Sequence, residues 1–325
     1  MIETLTSTSN PKVKKLIALQ QKHSERRESN LFVVEGKREL EHCINSNYSI
    51  SSLFYCIEII EGVSSEQFGP AGTCRPRQGS GCQIPRLAQQ GVKMTGSEEV
   101  KEICDFANFF DSCDSQRVEL ALKDTRIFEI SKEIYQKVAY REGTEGIIAE
   151  VRAKEKRLED LKLKENPLVV VLESVEKPGN LGAVLRSADA AGADAVLICD
   201  PLTDLYNPNL IRASIGAVFT VPCVVCSSAE AISWLKLHGV QILTAQLQDS
   251  EWYYDTDMER GTAIVIGTEA TGLTQAWRDA ADAHIKIPML GALDSLNASV
   301  SAAILLFEAV RQRECKSRSG EIVDL

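Results

Sequence analysis

Ile287-Pro-Met-Leu-Gly-Ala-Leu-Asp-Ser-Leu-Asn-Ala-Ser-Val-Ser-Ala-Ala-Ile304 joins a short apolar strand to a small-residue helix through a turn crowded with Gly, Asp, Ser and Asn. The turn sets Ser295, Asn297, Ser299 and Ser301 against an apolar helix running from Val300 to Phe307. Polar groups in such a junction are hydrogen-bonded, or each costs about 1–3 kcal/mol. Either they cap the helix, with Ser295 or Asn297 as N-cap, or they hold a ligand.

Two upstream stretches repeat the strand–turn–helix construction. Ala263-Ile-Val-Ile-Gly-Thr-Glu-Ala-Thr-Gly-Leu273 runs a buried-type strand into G-x-E-x-x-G. Val169-Val-Val-Leu-Glu-Ser-Val-Glu-Lys-Pro-Gly-Asn-Leu-Gly-Ala-Val-Leu-Arg-Ser-Ala188 runs another strand through a Pro-Gly-Asn turn into a helix carrying Arg186. From Leu168 onward the pattern alternates. It predicts strands at 168–173, 195–199, 218–225, 240–245, 263–266 and 284–287, and helices at 181–191, 207–214, 228–237, 274–281 and 297–312. Near-continuous apolar strands separated by helices imply a parallel sheet covered on both faces, hence an α/β domain.

In this order and spacing the three stretches resemble the signature motifs of the SpoU (TrmH-like) RNA 2'-O-ribose methyltransferases, a family of the SPOUT class. The first motif falls on Asn180, Gly182 and Arg186; the second on Gly267, Glu269 and Gly272; the third on Ile287 to Met289 and Ser295 to Val300. Each alone is weak, but three in matching order are specific. Asn207-Pro208, Arg212-Ala-Ser-Ile-Gly-Ala-Val-Phe219 and Pro222 match the stretch that usually links the first two. The N-terminal region is similar to the small substrate-binding domain, akin to the L30e ribosomal proteins, that many members carry. The matching pieces are Ser9 to Lys14, Phe32 to Gly36 and Arg141 to Ile147.

The resemblance implies transfer of a methyl group from S-adenosylmethionine to a ribose 2'-hydroxyl of structured RNA, with 23S ribosomal RNA the expected substrate and transfer RNA the alternative. It assigns the catalytic set to Arg186, Asn180, Glu269, Ser295 and Asn297. It places the cofactor against Gly267, Glu269, Gly272, Ile287 and Leu296, with Met289 completing an apolar slot for adenine. Thr244 and Ala245, at the end of a strand, face the same pocket. Glycine permits close backbone approach to a ligand, though Gly267 and Gly272 also suit ordinary turns. A guanidinium stays protonated and is a poor base. Arg186 therefore reads as a clamp that orients the ribose and lowers the hydroxyl's pKa; the family is often described as using it in proton removal, and the sequence leaves both roles open. The resemblance further implies a homodimer, with arginine and cofactor from different subunits, and a C-terminal trefoil knot, an exception to the usual unknotted chain.

At 325 residues, two domains are the default. The expected division is an α/β, L30e-like RNA-binding domain over residues 1–152, a charged linker over 153–166, and a SPOUT-type catalytic domain over 167–325. Residues 60–125 read as a loop-rich insertion, poor in large apolar residues, with a short helix at 101–110 ending in exposed Phe106, Phe109 and Phe110. The net charge of −10 is unevenly spread: residues 167–325 hold 20 acids against 11 bases, residues 1–166 hold 26 against 25. Polyanion binding depends on local charge. The first helix, running from Pro11 to about Arg27, supplies Lys12, Lys14, Lys15, Arg26 and Arg27 as the candidate RNA face, and Arg212 borders the site.

No apolar run is long enough to span a bilayer, and the N-terminus shows no secretory pattern. A cytoplasmic protein is expected. The ten cysteines show no metal-ligand pattern. Cys223-Val-Val-Cys226 has C-x-x-C spacing but lies in an apolar strand with no second pair, so buried thiols are the expectation and a metal is not. Two rival readings stay open. A dinucleotide-binding dehydrogenase would use the Pro-Gly-Asn turn and Asp200, but G-x-G-x-x-G is lacking. A non-catalytic RNA-binding protein would have no need of Asn180, Arg186, Glu269, Ser295 and Asn297 together.

Overall fold

A computed structural model describes residues 2–60, 109–110, 112–140, 145–268, 271–292 and 295–319, with side chains through 314. The chain divides into two compact units, Met1–Lys154 and Glu155–Leu325.

The first unit contains β1 (Glu3–Leu5), α1 (Pro11–Gln21), α2 (His23–Ser29), β2 (Leu31–Glu35), α3 (Lys37–Asn45), β3 (Ile50–Tyr55), α4 (Ser115–Leu122), β4 (Arg126–Ile130), α5 (Lys132–Val138) and β5 (Ile147–Arg152). Its mixed sheet has the order β1-β4-β3-β5-β2. Phe54 and Phe128 are register partners on parallel β3 and β4, with stacked rings 5.0 Å apart. Asn10 caps α1 by accepting the Lys12 N–H, and Pro11 occupies the first turn, where its missing donor costs nothing.

The basic first helix is two helices. Lys22 is extended (φ −114°, ψ 120°) and ends α1. Arg26 then turns inward: it is buried, and its Nη1 donates to the carbonyls of Leu19 and Gln20, satisfying the α1 C-terminus. Of the expected insertion, residues 61–108 lie outside the described residues, and Phe106 with them. Its far end is not loop. Asp114 caps α4 by accepting from Gln116 and Arg117, α4 buries Val118, Ala121 and Leu122, and Phe110 is buried rather than exposed. The apolar residues at α4's helical spacing overrode the Gly- and Pro-rich impression left by the residues before them.

The second unit carries β6 (Leu168–Glu173), α6 (Pro178–Ala190), β7 (Ala195–Cys199), α7 (Pro208–Ser214), α8 (Ala217–Thr220), β8 (Cys223–Cys226), α9 (Ser228–Leu237), β9 (Gln241–Ala245), β10 (Glu251–Trp252), β11 (Thr262–Ile266), α10 (Gln275–Ala280), β12 (Ala283–Lys286) and α11 (Ala298–Ser319). The seven strands form one parallel sheet, in the order β10-β12-β9-β11-β6-β7-β8. All of β6, β7 and β11 is buried, as a sheet covered on both faces requires. One face packs Val169, Val171, Leu197 and Val265 against Trp234 and Trp277. Residues 155–166 are not a free linker: Leu158 is buried in this core, Leu161 and Leu163 pack on it, and Lys164 pairs with Asp194 at 3.1 Å.

The expected strand at 218–225 divides. Ile215 and Gly216 take positive φ, Ala217–Thr220 closes one helical turn, and only Cys223–Cys226 is strand. A short apolar run cannot by itself distinguish buried helix from buried strand. Among the described residues no helix is long and apolar enough to cross a membrane.

Candidate active site

At the carboxyl ends of β6 and β11 a cavity of about 140 Å³ opens among Glu173, Ser174, Asn180, Gly267, Thr268 and Ala298. In open parallel sheets this end of the strands is where ligands bind. All three motif-bearing stretches contribute to it. Beyond β6, Ser174 takes φ 51° and donates its N–H to the Cys199 carbonyl at 2.8 Å, turning the chain toward α6. Lys177 holds the N-cap position of α6 with Pro178 behind it, so Asn180 does not cap the helix. Its Oδ1 accepts a hydrogen bond from Asn297 Nδ2 at 3.2 Å.

Asn297 has a second task. Its Oδ1 accepts from the Ser299 N–H at 3.0 Å and the Ser299 hydroxyl at 2.6 Å, which caps α11. One side chain thus caps the helix and also holds Asn180, which lines the cavity. Ser295 is exposed and is not among the residues lining the cavity.

The second motif forms a closed hoop. Thr268 and Gly272 exchange backbone hydrogen bonds of 3.3 and 3.1 Å, and the Thr271 N–H donates to Thr268 Oγ1 at 3.0 Å. Gly272 sits at φ +67°, and a Cβ on Gly267 would lie 2.4 Å from the Gly272 carbonyl carbon, so closure requires glycine at both positions. Glu269 lies outside the described residues. The hoop's exit is tied down by a residue the motifs do not single out. Glu173, 3% exposed, accepts from the Thr274 N–H at 2.9 Å and its hydroxyl at 2.7 Å. An acid closing an otherwise apolar strand is the sequence signal that marks it. The first motif's glycine is a packing residue: a Cβ on Gly182 would meet Ala213 Cβ at 2.6 Å and the Leu210 carbonyl at 2.9 Å, where α6 crosses α7.

The expected cofactor residues are more spread. Thr244 is fully buried and its hydroxyl is engaged with His284 Nδ1 at 2.6 Å, so it orders β9 against β12. Ala245, Ile287 and Met289 are half-buried, and Leu296 is exposed. None of these lines the cavity at β6 and β11. Beside Ala245, the Gln246 N–H donates to the Ile285 carbonyl, and its buried Oε1 lacks a hydrogen-bond partner among the described residues.

Arg186 is exposed and has no ion pair or hydrogen bond among the described residues. Six residues beyond Asn180, at about 100° per residue, it lies roughly a third of a turn away from Asn180 around α6 and is not among the residues lining the cavity. Arg212 is exposed in the last turn of α7. On the N-terminal unit, Lys14 and Arg27 are exposed. Lys12 pairs with Glu3 and covers the Phe128 ring, Lys15 pairs with Glu150 at 3.1 Å, and Arg26 is internal. Among the described residues no group of His, Cys, Asp or Glu is arranged to hold a metal.

The SpoU rRNA Methylase family profile matches residues 167–307, and a profile described as the MRM3-like substrate binding domain matches residues 10–73. A 23S rRNA (uridine(2479)-2'-O)-methyltransferase of Streptomyces viridochromogenes is 35% identical over 179 residues, 53% of this chain and 62% of that enzyme. The matched region therefore spans less than two thirds of that relative. The 23S rRNA (guanosine-2'-O-)-methyltransferase RlmB of Vibrio vulnificus is 35% identical over 201 residues, 60% of this chain and 81% of that enzyme. A crystal structure of an RNA 2'-O ribose methyltransferase superposes with a TM-score of 0.68 at 32% identity, covering 96% of this chain and 99% of the other. The chain belongs to the SpoU rRNA methylase family.

Proposed function

We propose that this protein transfers the methyl group of S-adenosylmethionine to a ribose 2'-hydroxyl of structured RNA, with 23S ribosomal RNA as substrate. The observation that carries this reading is the convergence of Asn180, Gly267 and Ala298, one from each motif, at the carboxyl ends of β6 and β11, with Asn297 bonded to Asn180. The residues fit the cofactor. Half-buried Ile287 and Met289 offer apolar walls, and Gln246 Oε1 is a buried acceptor still lacking a donor, two features that suit an adenine ring and its amino group. When bound, the sulfonium supplies an electrophilic methyl group.

The chain's own part is positioning. Asn297 orients Asn180, Glu173 holds the exit of the 268–272 hoop, and Arg186 clamps the phosphate and ribose of the target nucleotide, favouring the alkoxide that forms as the hydroxyl proton leaves. Arg186 lies about a third of a turn from Asn180 and is not among the residues lining the cavity of its own chain, which supports a homodimer in which each site takes its arginine from the partner. Leu296, Val300 and Phe307 are apolar and exposed, the last two seven residues apart on one face of α11, and suit that contact. In this reading α11 completes a trefoil knot, the chain works in the cytoplasm, and residues 1–152 hold RNA through Lys14 and Arg27, with Arg212 on the catalytic unit, leaving 167–325 for catalysis. Methyl transfer to unmodified ribosomal RNA, with transfer RNA as the second arm, tests the proposal: label on transfer RNA alone would replace the substrate, and label on neither would remove the activity.

A further inference from the structure

Cys199 and Cys226 are register partners on the parallel strands β7 and β8, and their Sγ atoms stand 3.9 Å apart. Neighbouring strands run about 4.8 Å apart, inside the Cα separation of roughly 4.4–6.8 Å that a disulfide bridges. The sulfurs must close to about 2.0 Å and the Cβ atoms to about 3.5–4.5 Å, which draws the two strands together locally. β8 is the outer strand of its sheet, so it can shift toward β7 without breaking a second ladder. The two thiols differ in access. Cys199 is fully buried, whereas Cys226 is half-buried on the wall of an open groove of about 990 Å³ that also includes Glu230, Trp234 and Leu237. A hydrogen bond from Cys199 holds the Cys226 thiol below its ordinary range, while that same bond and burial push Cys199 up. The C-x-x-C spacing misdirects: Cys223 turns its thiol to the Val221 carbonyl at 3.2 Å, and the partner of Cys226 lies on the neighbouring strand.

We infer that Cys199 and Cys226 are an oxidative modification site, closing to a reversible intramolecular disulfide under hydrogen peroxide. The Cys226 thiolate attacks one peroxide oxygen; the O–O bond breaks, leaving a sulfenic acid and a hydroxide that becomes water on protonation. The Cys199 sulfur then attacks the sulfenic sulfur; the S–S bond forms, the S–O bond breaks, and a second water carries off the thiol proton. Peroxide takes up the two electrons the sulfurs lose.

The pair is wired to the cavity. The Cys199 carbonyl accepts from the Ser174 N–H at 2.8 Å, the Cys226 carbonyl accepts from the Asp200 N–H at 3.0 Å, and the Leu202 N–H donates to the Val175 carbonyl at 3.1 Å. Ser174 and Val175 line the cavity. Drawing β8 onto β7 therefore displaces one cavity wall, and oxidation weakens ligand binding there. This coupling rests on the methyltransferase reading; the disulfide itself does not.

The test treats the full chain with hydrogen peroxide and maps its peptides by mass spectrometry. The expected product is a linked Cys199–Cys226 peptide, lighter by two hydrogen atoms and released by dithiothreitol. Cys226→Ser abolishes the link, and Cys199→Ser leaves a Cys226 sulfenic acid that dimedone traps. Both thiols remaining free while other cysteines oxidise, or Cys226 passing straight to sulfinic acid in the unsubstituted chain, overturns the site. S-adenosylmethionine affinity is measured first on reduced protein, so a failure of the methyltransferase reading registers separately. Oxidation is expected to raise Kd by about threefold or more, reversed by dithiothreitol; an unchanged Kd on the disulfide form overturns the coupling.

Discussion

Asn297 Nδ2 donates to Asn180 Oδ1 at 3.2 Å across 117 residues of sequence, joining the turn before α11 to the first turn of α6. Asn297 also caps α11, whereas the N-cap position of α6 belongs to Lys177. Substitutions at the two ends therefore diverge. Asn180→Ala lowers kcat by about tenfold to a hundredfold through misplaced geometry with little change in Tm. Asn297→Ala lowers kcat similarly and also costs about 1 kcal/mol of stability through the lost cap. The double variant is no slower than the worse single one, because the pair acts as a unit. Steady-state kinetics and thermal unfolding on all three variants check this; additive losses in kcat would contradict it.

Gly182 and Gly179 lie in the same turn of α6 but meet different surroundings. Gly182→Ala forces α6 away from α7 and costs about 1–3 kcal/mol, as overpacking does. Gly179 has open space where a Cβ would go, and Gly179→Ala stays within about 0.5 kcal/mol of the parent. Urea unfolding distinguishes them. Equal effects would mean that the helix crossing is looser than described.

Glu173 and Thr274 carry the third prediction. Glu173→Ala strips two donors of their acceptor, costs about 1–3 kcal/mol and weakens S-adenosylmethionine binding, since the 268–272 hoop loses its exit anchor. Thr274→Ser keeps both donors and stays near the parent in Tm and in calorimetric Kd, while Thr274→Val loses the hydroxyl contact and falls between. A Thr274→Ser protein as impaired as Glu173→Ala would show that something other than these hydrogen bonds matters.

Much of the second unit was legible because its chemistry is local. The run Leu168 to Glu173 is continuously apolar up to its last residue, and it is strand over those residues. Asn10 before Pro11 announces a helix start that the side-chain cap bears out. What escaped depends on contacts and backbone angles that apolar periodicity does not encode. The break at Lys22 follows from Arg26 reaching back to the α1 carbonyls, and no helical periodicity encodes it. Thr244 carries the right type for a ligand contact, yet His284, forty residues on, claims its hydroxyl. Ala217 to Phe219 is apolar enough for a strand, but positive φ at Ile215 and Gly216 turns it into a helical turn.

The cysteines offer a check that needs no substrate. Burial pushes the Cys223 thiol up to about 12, whereas the hydrogen bond from Cys199 lowers Cys226. Thiolate is the reactive form. At mildly alkaline pH, iodoacetamide should label Cys226 well before Cys223, read by peptide mass spectrometry over a time course. Labelling of Cys223 first, or of both at one rate, would contradict the assigned environments.

The central claim, ribose methylation by a site that combines the three motifs with Arg186, is tested most directly by tritiated-methyl transfer from S-adenosylmethionine to unmodified 23S ribosomal RNA. Arg186→Ala serves as the comparison because its exposed side chain leaves stability unaffected. The account predicts label at a single alkali-resistant linkage with the parent protein and none with a fully folded Arg186→Ala. Label undiminished in that variant, or located on a base rather than a ribose, would contradict it.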